Sequence, residues 1–150
     1  MAMTDDSAAI LIDTNLLVHA NLSSSPHYLI AQSKIASYAQ ASADLWISRQ
    51  ILREYLAVVT RPQTYSNPVP MLAAVADVTR FQTEYLVADD NEQVMQRLLA
   101  LLSQVAIGGK QIHDANIVAT MLAYGITRIL TENVSDFNRF ANFVDVLSMA

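Results

Sequence analysis

The stretch Ala8-Ala9-Ile10-Leu11-Ile12-Asp13-Thr14-Asn15 sets the architecture of the chain. Its apolar half is short, partly β-branched, and stops at three residues that favour helix N-termini, which predicts a buried strand over 8–12 feeding straight into a helix. Leu16, Leu17 and Ala20 follow at helical spacing.

The same alternation continues along the chain. Pro26, after Ser23-Ser24-Ser25, stands where it opens a helix reaching about residue 41. Asp44-Leu45-Trp46-Ile47-Ser48 reads as a second strand, and residues 49–59 return to helical period through Ile51, Leu52, Tyr55, Leu56 and Val59. Three of the four prolines, Pro62, Pro68 and Pro70, fall in 61–70 with Ser66 and Asn67, which predicts a loop long enough to serve a function. A helix over 71–82 and a strand over 84–87 come next. A strongly periodic helix over 91–105 then turns Val94, Leu98, Leu101 and Leu102 inward and stops at Gly108-Gly109. A helix over 113–124 closes at Gly125, and strands over 128–131 and 143–147 complete the set. Met71, Met95 and Met121 lie at apolar helical positions and are assigned to the core. Five short strands separated by helices imply βαβ crossovers. The expected fold is therefore α/β, a three-layer sandwich with a central, mostly parallel five-stranded sheet and helices on both faces. In such sheets functional groups gather beyond the carboxyl ends of the strands.

Length and composition narrow the function classes. The 150 residues suit one domain with a full core. Hydrophobic residues make up 53% and charged residues 15%, against about 25% charged in a typical domain, which excludes disorder. Apolar runs such as 98–102 fall far short of the roughly 20 residues that cross a bilayer, so no membrane span is expected. Asp5 and Asp6 stand where a secretory signal carries basic residues, and the apolar run breaks at Asp13, so no signal peptide is read. The absence of Cys excludes disulfide scaffolds and thiolate metal sites and fits a cytoplasmic protein. Fourteen acids against nine bases give a net charge of −5, which argues against non-specific coating of nucleic acid. It leaves a nuclease open, because divalent cations cancel active-site carboxylate charge.

The acids sit where that topology concentrates chemistry. Asp13 directly follows the first strand, Asp114 lies at the start of a helix after the Gly-Gly break, and Asp136 comes shortly after the strand ending at Thr131. Glu54 lies in the helix after the second strand and is placed to point into a cleft. Taken singly, each has an ordinary structural role: Asp13 and Asp114 as helix caps, Asp136 as the cap of a turn over 137–141, Glu54 as a solvated helix residue. Together they make a poor core and a good hard-cation site, since Mg²⁺ and Mn²⁺ prefer oxygen ligands. A divalent cation so held supports phosphodiester hydrolysis by activating water and stabilising charge on the phosphate and leaving oxygen. Thr14, Asn15, Thr131, Asn133 and Ser135 surround the acids as polar supports, with capping and turn formation as their alternative roles.

These residues resemble the PIN-domain ribonucleases, and most closely the VapC-type toxins of bacterial toxin–antitoxin pairs. The resemblance covers nearly the whole chain, as a single PIN-like domain over 1–150. It is carried by Ile10-Leu11-Ile12-Asp13-Thr14-Asn15, by Ile51-Leu52-Arg53-Glu54-Tyr55 with Thr60-Arg61-Pro62, by His113-Asp114-Ala115, and by Leu130-Thr131-Glu132-Asn133-Val134-Ser135-Asp136-Phe137. It implies Mg²⁺ or Mn²⁺ bound by the acids and endonucleolytic cleavage of RNA. Asp13, Glu54, Asp114 and Asp136 match the family's acidic quartet, with Asp13 and Asp114 as principal metal ligands and Glu54 and Asp136 completing the site or holding water. Thr131 and Asn133 match polar positions beside it. The resemblance also implies a cognate antitoxin partner and a homodimer.

Gly108-Gly109-Lys110 lacks the spacing of a phosphate loop and the hydroxyl residue after Lys, so it reads as a helix stop. His19, His27 and His113 form no zinc-spaced set, and His113 is assigned to packing. Arg49, Arg53 and Arg61 flank Glu54, and Lys110, Arg128 and Arg139 flank the other acids; they suit RNA phosphates or a solvated surface equally. The alternative function is a non-catalytic RNA- or protein-binding module on the same fold. A regulatory domain phosphorylated on Asp13 is disfavoured, because Asp5 and Asp6 precede the strand and no Lys follows Lys110.

Overall fold

The computed structural model describes residues 7–150; Asp5 and Asp6 lie outside the described residues. In chain order the elements are β1 (Ile10–Ile12), α1 (Thr14–Asn21), α2 (Tyr28–Gln40), β2 (Leu45–Ser48), α3 (Arg49–Val59), α4 (Met71–Glu84), β3 (Leu86–Ala88), α5 (Glu92–Leu102), α6 (Gln111–Tyr124), β4 (Arg128–Thr131), α7 (Val134–Phe137), a 3-10 turn (Asn138–Phe140) and β5 (Asp145–Ser148).

The five strands form one sheet in the order β3-β2-β1-β4-β5, and every pairing is parallel. Right-handed crossovers then fix the layers. Stepping from β1 to β2 to β3 lays α1 to α4 on one face, and the return past β1 to β4 lays α5 and α6 on the other. The strand order reverses between β1 and β4, where Ile12 pairs with Leu130 and the Asp13 amide donates to the Leu130 carbonyl at 3.0 Å. A crevice outside the carboxyl ends of the strands opens at such a point.

Local chemistry explains most boundaries. Asp13 caps α1 by accepting from the Thr14 amide at 2.8 Å, Ser48 caps α3 through the Ile51 amide at 3.2 Å, and Asn91 caps α5 through the Val94 amide at 3.1 Å. Gly125 ends α6 in the left-handed region at φ 69°, where a side chain would be strained. The core gathers all of β1 with Leu16, Leu17, Ile47, Ile51, Tyr55, Phe81, Val118, Ile129, Phe137 and Phe140. Tyr55 satisfies its buried hydroxyl on Asp77 at 2.7 Å, with its ring edge-on to Phe81 at 4.9 Å.

Several boundaries differ from those read in the sequence. Helix α4 continues to Glu84, held by the Tyr85 amide on the Phe81 carbonyl, and β3 therefore starts at Leu86. Helix α5 ends at Leu102, because the amides of Gln104 and Val105 both turn back onto the Leu101 carbonyl; Gly109, at φ 59°, belongs to the turn entering α6 instead. Helix α2 starts at Tyr28, leaving Pro26 in the preceding turn. Met121 is buried as expected, but Met71 and Met95 are more than half exposed on the outer surfaces of α4 and α5, beside Leu72 and Leu99 respectively. Among the described residues, no helix is long and apolar enough to cross a membrane.

Candidate active site

A cleft of about 390 Å³ lies at the carboxyl ends of the strands, and its lining includes Asp13, Glu54, Asp114 and Asp136. Four separate elements supply them. Asp13 leaves β1 and opens α1, Glu54 projects from the second turn of α3, Asp114 sits in the first turn of α6, and Asp136 lies within α7. Asp13 is therefore a cap and a cleft residue at once. Asp114 is no cap, since α6 begins three residues earlier, and Asp136 lies before the 3-10 turn rather than capping it.

Asp13 is the most tightly held of the four. It is only 6% exposed, and its Oδ2 accepts from the Thr131 hydroxyl at 2.7 Å and from the Asn15 amide at 3.3 Å. Burial pushes its carboxyl up to about 6 against the bonds from Thr131 and Thr14, and the charges of Glu54 and Asp114 push the same way. Asp114 is also raised, by burial first and then by Asp136 and Glu54, with Arg139 and His113 opposing. Each acid thus feels at least one other.

Glu54 is bound on both sides. Its Oε2 accepts from the Thr14 hydroxyl at 2.9 Å and its Oε1 from the Gln50 amide at 3.0 Å. Gln50, buried one helical turn earlier, also donates to the His113 carbonyl at 2.9 Å and accepts from Asn116 at 2.8 Å. One side chain thus ties α3, which carries Glu54, to the start of α6, which carries Asp114. Among the described residues, no three His, Asp or Glu side chains stand close enough to share one ion. Like charges spread when nothing offsets them, and the bonds from Thr14 of α1 and Gln50 of α3 hold Glu54 between those two helices. The donor set nevertheless suits a hard divalent cation: it is all oxygen, and burial, with the charges of Glu54 and Asp114 added, disfavours the ionised form of its deepest carboxylate.

Of the polar supports read in the sequence, Thr14, Asn15 and Asn133 line the cleft, and Thr131 lies buried beneath Asp13. Ser135 is exposed and does not line it. Of the basic residues, Arg61 lines it. Arg49 is paired with Asp89 at 2.9 Å and Gln82 at 2.7 Å, and Arg53 lies 3.9 Å from Asp90; neither lines the cleft, and nor does Lys110. Arg128 is buried at the opposite, amino end of β4, where its guanidinium donates to the Ala8 carbonyl and lies 5.5 Å from the Tyr38 ring centre. His113 is exposed and serves the site through its backbone carbonyl.

Four polar lining residues were not placed at the site from the sequence. His19 and Glu132 face each other across the cleft rim at 2.8 Å, with the other His19 nitrogen 2.6 Å from the buried Ser25 hydroxyl. Gln63 and Tyr65 come from the proline-rich loop. His19 was legible, because it lies four residues after Asn15 and shares its helix face. Gln63 and Tyr65 were not, since nothing local says which way a loop folds.

The fold matches solved structures closely in extent and weakly in sequence. The Rickettsia felis VapBC2 structure, bound to a promoter DNA fragment, aligns with TM-score 0.67 at 18% identity, covering 93% of this chain and 98% of that one. Mycobacterium tuberculosis VapC20, a sarcin-ricin-loop-cleaving toxin, aligns with TM-score 0.65 at 20% identity over 92% and 98%. FitAcB from Neisseria gonorrhoeae gives 0.63 at 17% identity over 93% and 97%. No curated protein matches the chain by sequence. The PIN domain model, however, matches residues 10–142, a span that holds four of the five strands and all four acids of the quartet, and the chain belongs to the PIN domain family.

Proposed function

We propose that the chain is a metal-dependent endoribonuclease and the toxin of a toxin–antitoxin pair, acting in the cytoplasm as a homodimer that a cognate antitoxin holds in check. The observation that carries this reading is the meeting of Asp13, Glu54, Asp114 and Asp136 in one cleft at the point where the strand order reverses. Membership of the PIN family supports it, as does a fold shared with a toxin that cleaves the sarcin-ricin loop and with toxin–antitoxin complexes. Exposed Leu29, Leu72, Val75, Met95 and Leu99 supply apolar surface for protein partners.

Asp13 and Asp114 are the principal ligands for Mg²⁺ or Mn²⁺, with Glu54 and Asp136 completing the site. When bound, the cation supplies Lewis acidity toward the phosphate and makes water a competent nucleophile at neutral pH. The protein's own groups prepare this. Thr131 and Asn15 fix the Asp13 carboxylate, Thr14 and Gln50 fix Glu54, and the apolar walls Val18, Ile117 and Phe137 limit water around them. The test is cleavage of a mixed structured RNA by the purified chain in Mg²⁺, Mn²⁺ or EDTA, beside an identically prepared Asp13→Asn variant. Cutting that needs both metal and Asp13 is expected. Cutting by Asp13→Asn at the wild-type rate overturns the assignment, and RNA binding without cutting in either metal favours the non-catalytic module.

A further inference from the structure

The loop over 61–70 forms one wall of the cleft, and its chemistry differs from that of the floor. Arg61, Gln63 and Tyr65 reach into the lining from it. The loop is held in place at both ends: the Val69 amide donates to the Val59 carbonyl at 2.8 Å, and Gln63 donates to the carbonyls of Val58 and Arg61. Pro62, Pro68 and Pro70 restrict its backbone further. Across from Tyr65 stands the His19 ring at 6.4 Å, tilted by 33°, and behind it His27 at 4.9 Å. Among the described residues, neither the Tyr65 hydroxyl nor the Arg61 guanidinium has a hydrogen-bond or ion-pair partner.

The charge balance makes this wall informative. Glu132 joins the quartet, so five carboxylates line the cleft, and Arg61 is the one lining Lys or Arg among the described residues. Arg49 and Arg53, which flank the site in sequence, lie beside Asp89 and Asp90. A polyanion entering this cleft gains little from phosphate neutralisation, and the chain as a whole repels it at net charge −5. Affinity of another kind is needed. Base stacking on an aromatic side chain supplies it, because every unpaired base has a π-face and the interaction does not depend on counterion release.

We propose that Tyr65, with Arg61 beside it, forms a subsite for one unstacked base of single-stranded RNA next to the phosphate to be cut. Tyr65 carries the base and Arg61 the adjoining phosphate. The inference rests on the ribonuclease reading for the identity of the polymer.

Binding of a short unstructured RNA, labelled for fluorescence anisotropy, is measured in EDTA so that nothing is cut. Tyr65 packs partly against the core, so Tyr65→Leu, which keeps apolar bulk, and Tyr65→Phe, which keeps the ring, are compared with thermal melts of each. Tyr65→Leu is expected to weaken binding about tenfold with an unchanged salt slope. Tyr65→Phe is expected to bind as the wild type does. Arg61→Gln is expected to lower the slope of log K against log salt by about 0.7, as loss of one single-strand phosphate contact does. Duplex RNA, whose bases are already stacked, is expected to ignore Tyr65→Leu. Wild-type affinity in Tyr65→Leu, equal losses in the Phe and Leu variants, or no wild-type binding overturns the subsite. Asp13-dependent cutting that is indifferent to Tyr65 sinks the subsite and leaves the nuclease standing. Tyr65-dependent binding without cutting overturns the nuclease and leaves only a base-binding site at Tyr65.

Discussion

Asp13 joins fold and chemistry in one side chain. Its carboxylate caps α1, receives the Thr131 hydroxyl from the neighbouring strand, and stands almost wholly out of water. The ordinary structural role that the sequence allowed for it, a helix cap, is fulfilled and does not compete with the role proposed for it in the cleft. Burial has a price in stability. In the native state the carboxyl keeps its proton to about pH 6, whereas an exposed aspartate releases it near 3.8, so the native state binds the extra proton between these values. Metal-free stability therefore falls as pH rises through this window, by about 3 kcal/mol on that shift, and stays low above it. Asp13→Asn keeps an acceptor oxygen and removes the charge. In EDTA at pH 7.5 its Tm is expected to exceed the wild type's by about 6–12 °C, with the difference vanishing near pH 4. An equal or lower Tm at pH 7.5 contradicts the assigned cost.

At the scale of elements, the two helices that carry Glu54 and Asp114 are tied through Gln50. Its amide donates to Glu54 and the His113 carbonyl and accepts from Asn116, so its removal leaves partners unsatisfied and frees Glu54 on one side. Gln50→Leu is expected to cost about 1–3 kcal/mol in urea denaturation and to slow RNA cleavage more than it weakens RNA binding. Unchanged stability refutes the tie. The strand-to-helix junction at Asp13, the apolar periods of α3 and α5, and the Gly125 stop were legible because each depends on neighbours in sequence. The early end of α5 and the late start of β3 were not, since backbone turns near Leu101 and Tyr85 set them. Nor were the partners of Arg49 and Arg53 legible. Asp89 and Asp90 lie some 40 residues along the chain and reach these arginines only because β2 and β3 pair side by side.

The whole molecule places its chemistry by topology. The sequence implied strands alternating with helices and acids at their ends; the order β3-β2-β1-β4-β5 adds the reversal between β1 and β4 that brings those acids to one cleft. Outside the cleft, apolar side chains remain exposed on α2, α4 and α5, and Met71 of α4 and Met95 of α5, assigned to the core from the sequence, belong to that surface. Composition alone could not separate core from partner surface, since both draw on the same residue types.

The most direct measurement follows Mn²⁺ occupancy by calorimetry and RNA cleavage across one Mn²⁺ titration, in the wild type, Asp13→Asn and Asp114→Asn. The expected result is that cleavage rises with occupancy in the wild type and that both are lost or shifted to far higher Mn²⁺ in each variant. Cleavage that persists at wild-type levels when Mn²⁺ no longer binds, or tight Mn²⁺ binding that survives both substitutions, contradicts a metal-dependent nuclease centred on Asp13 and Asp114.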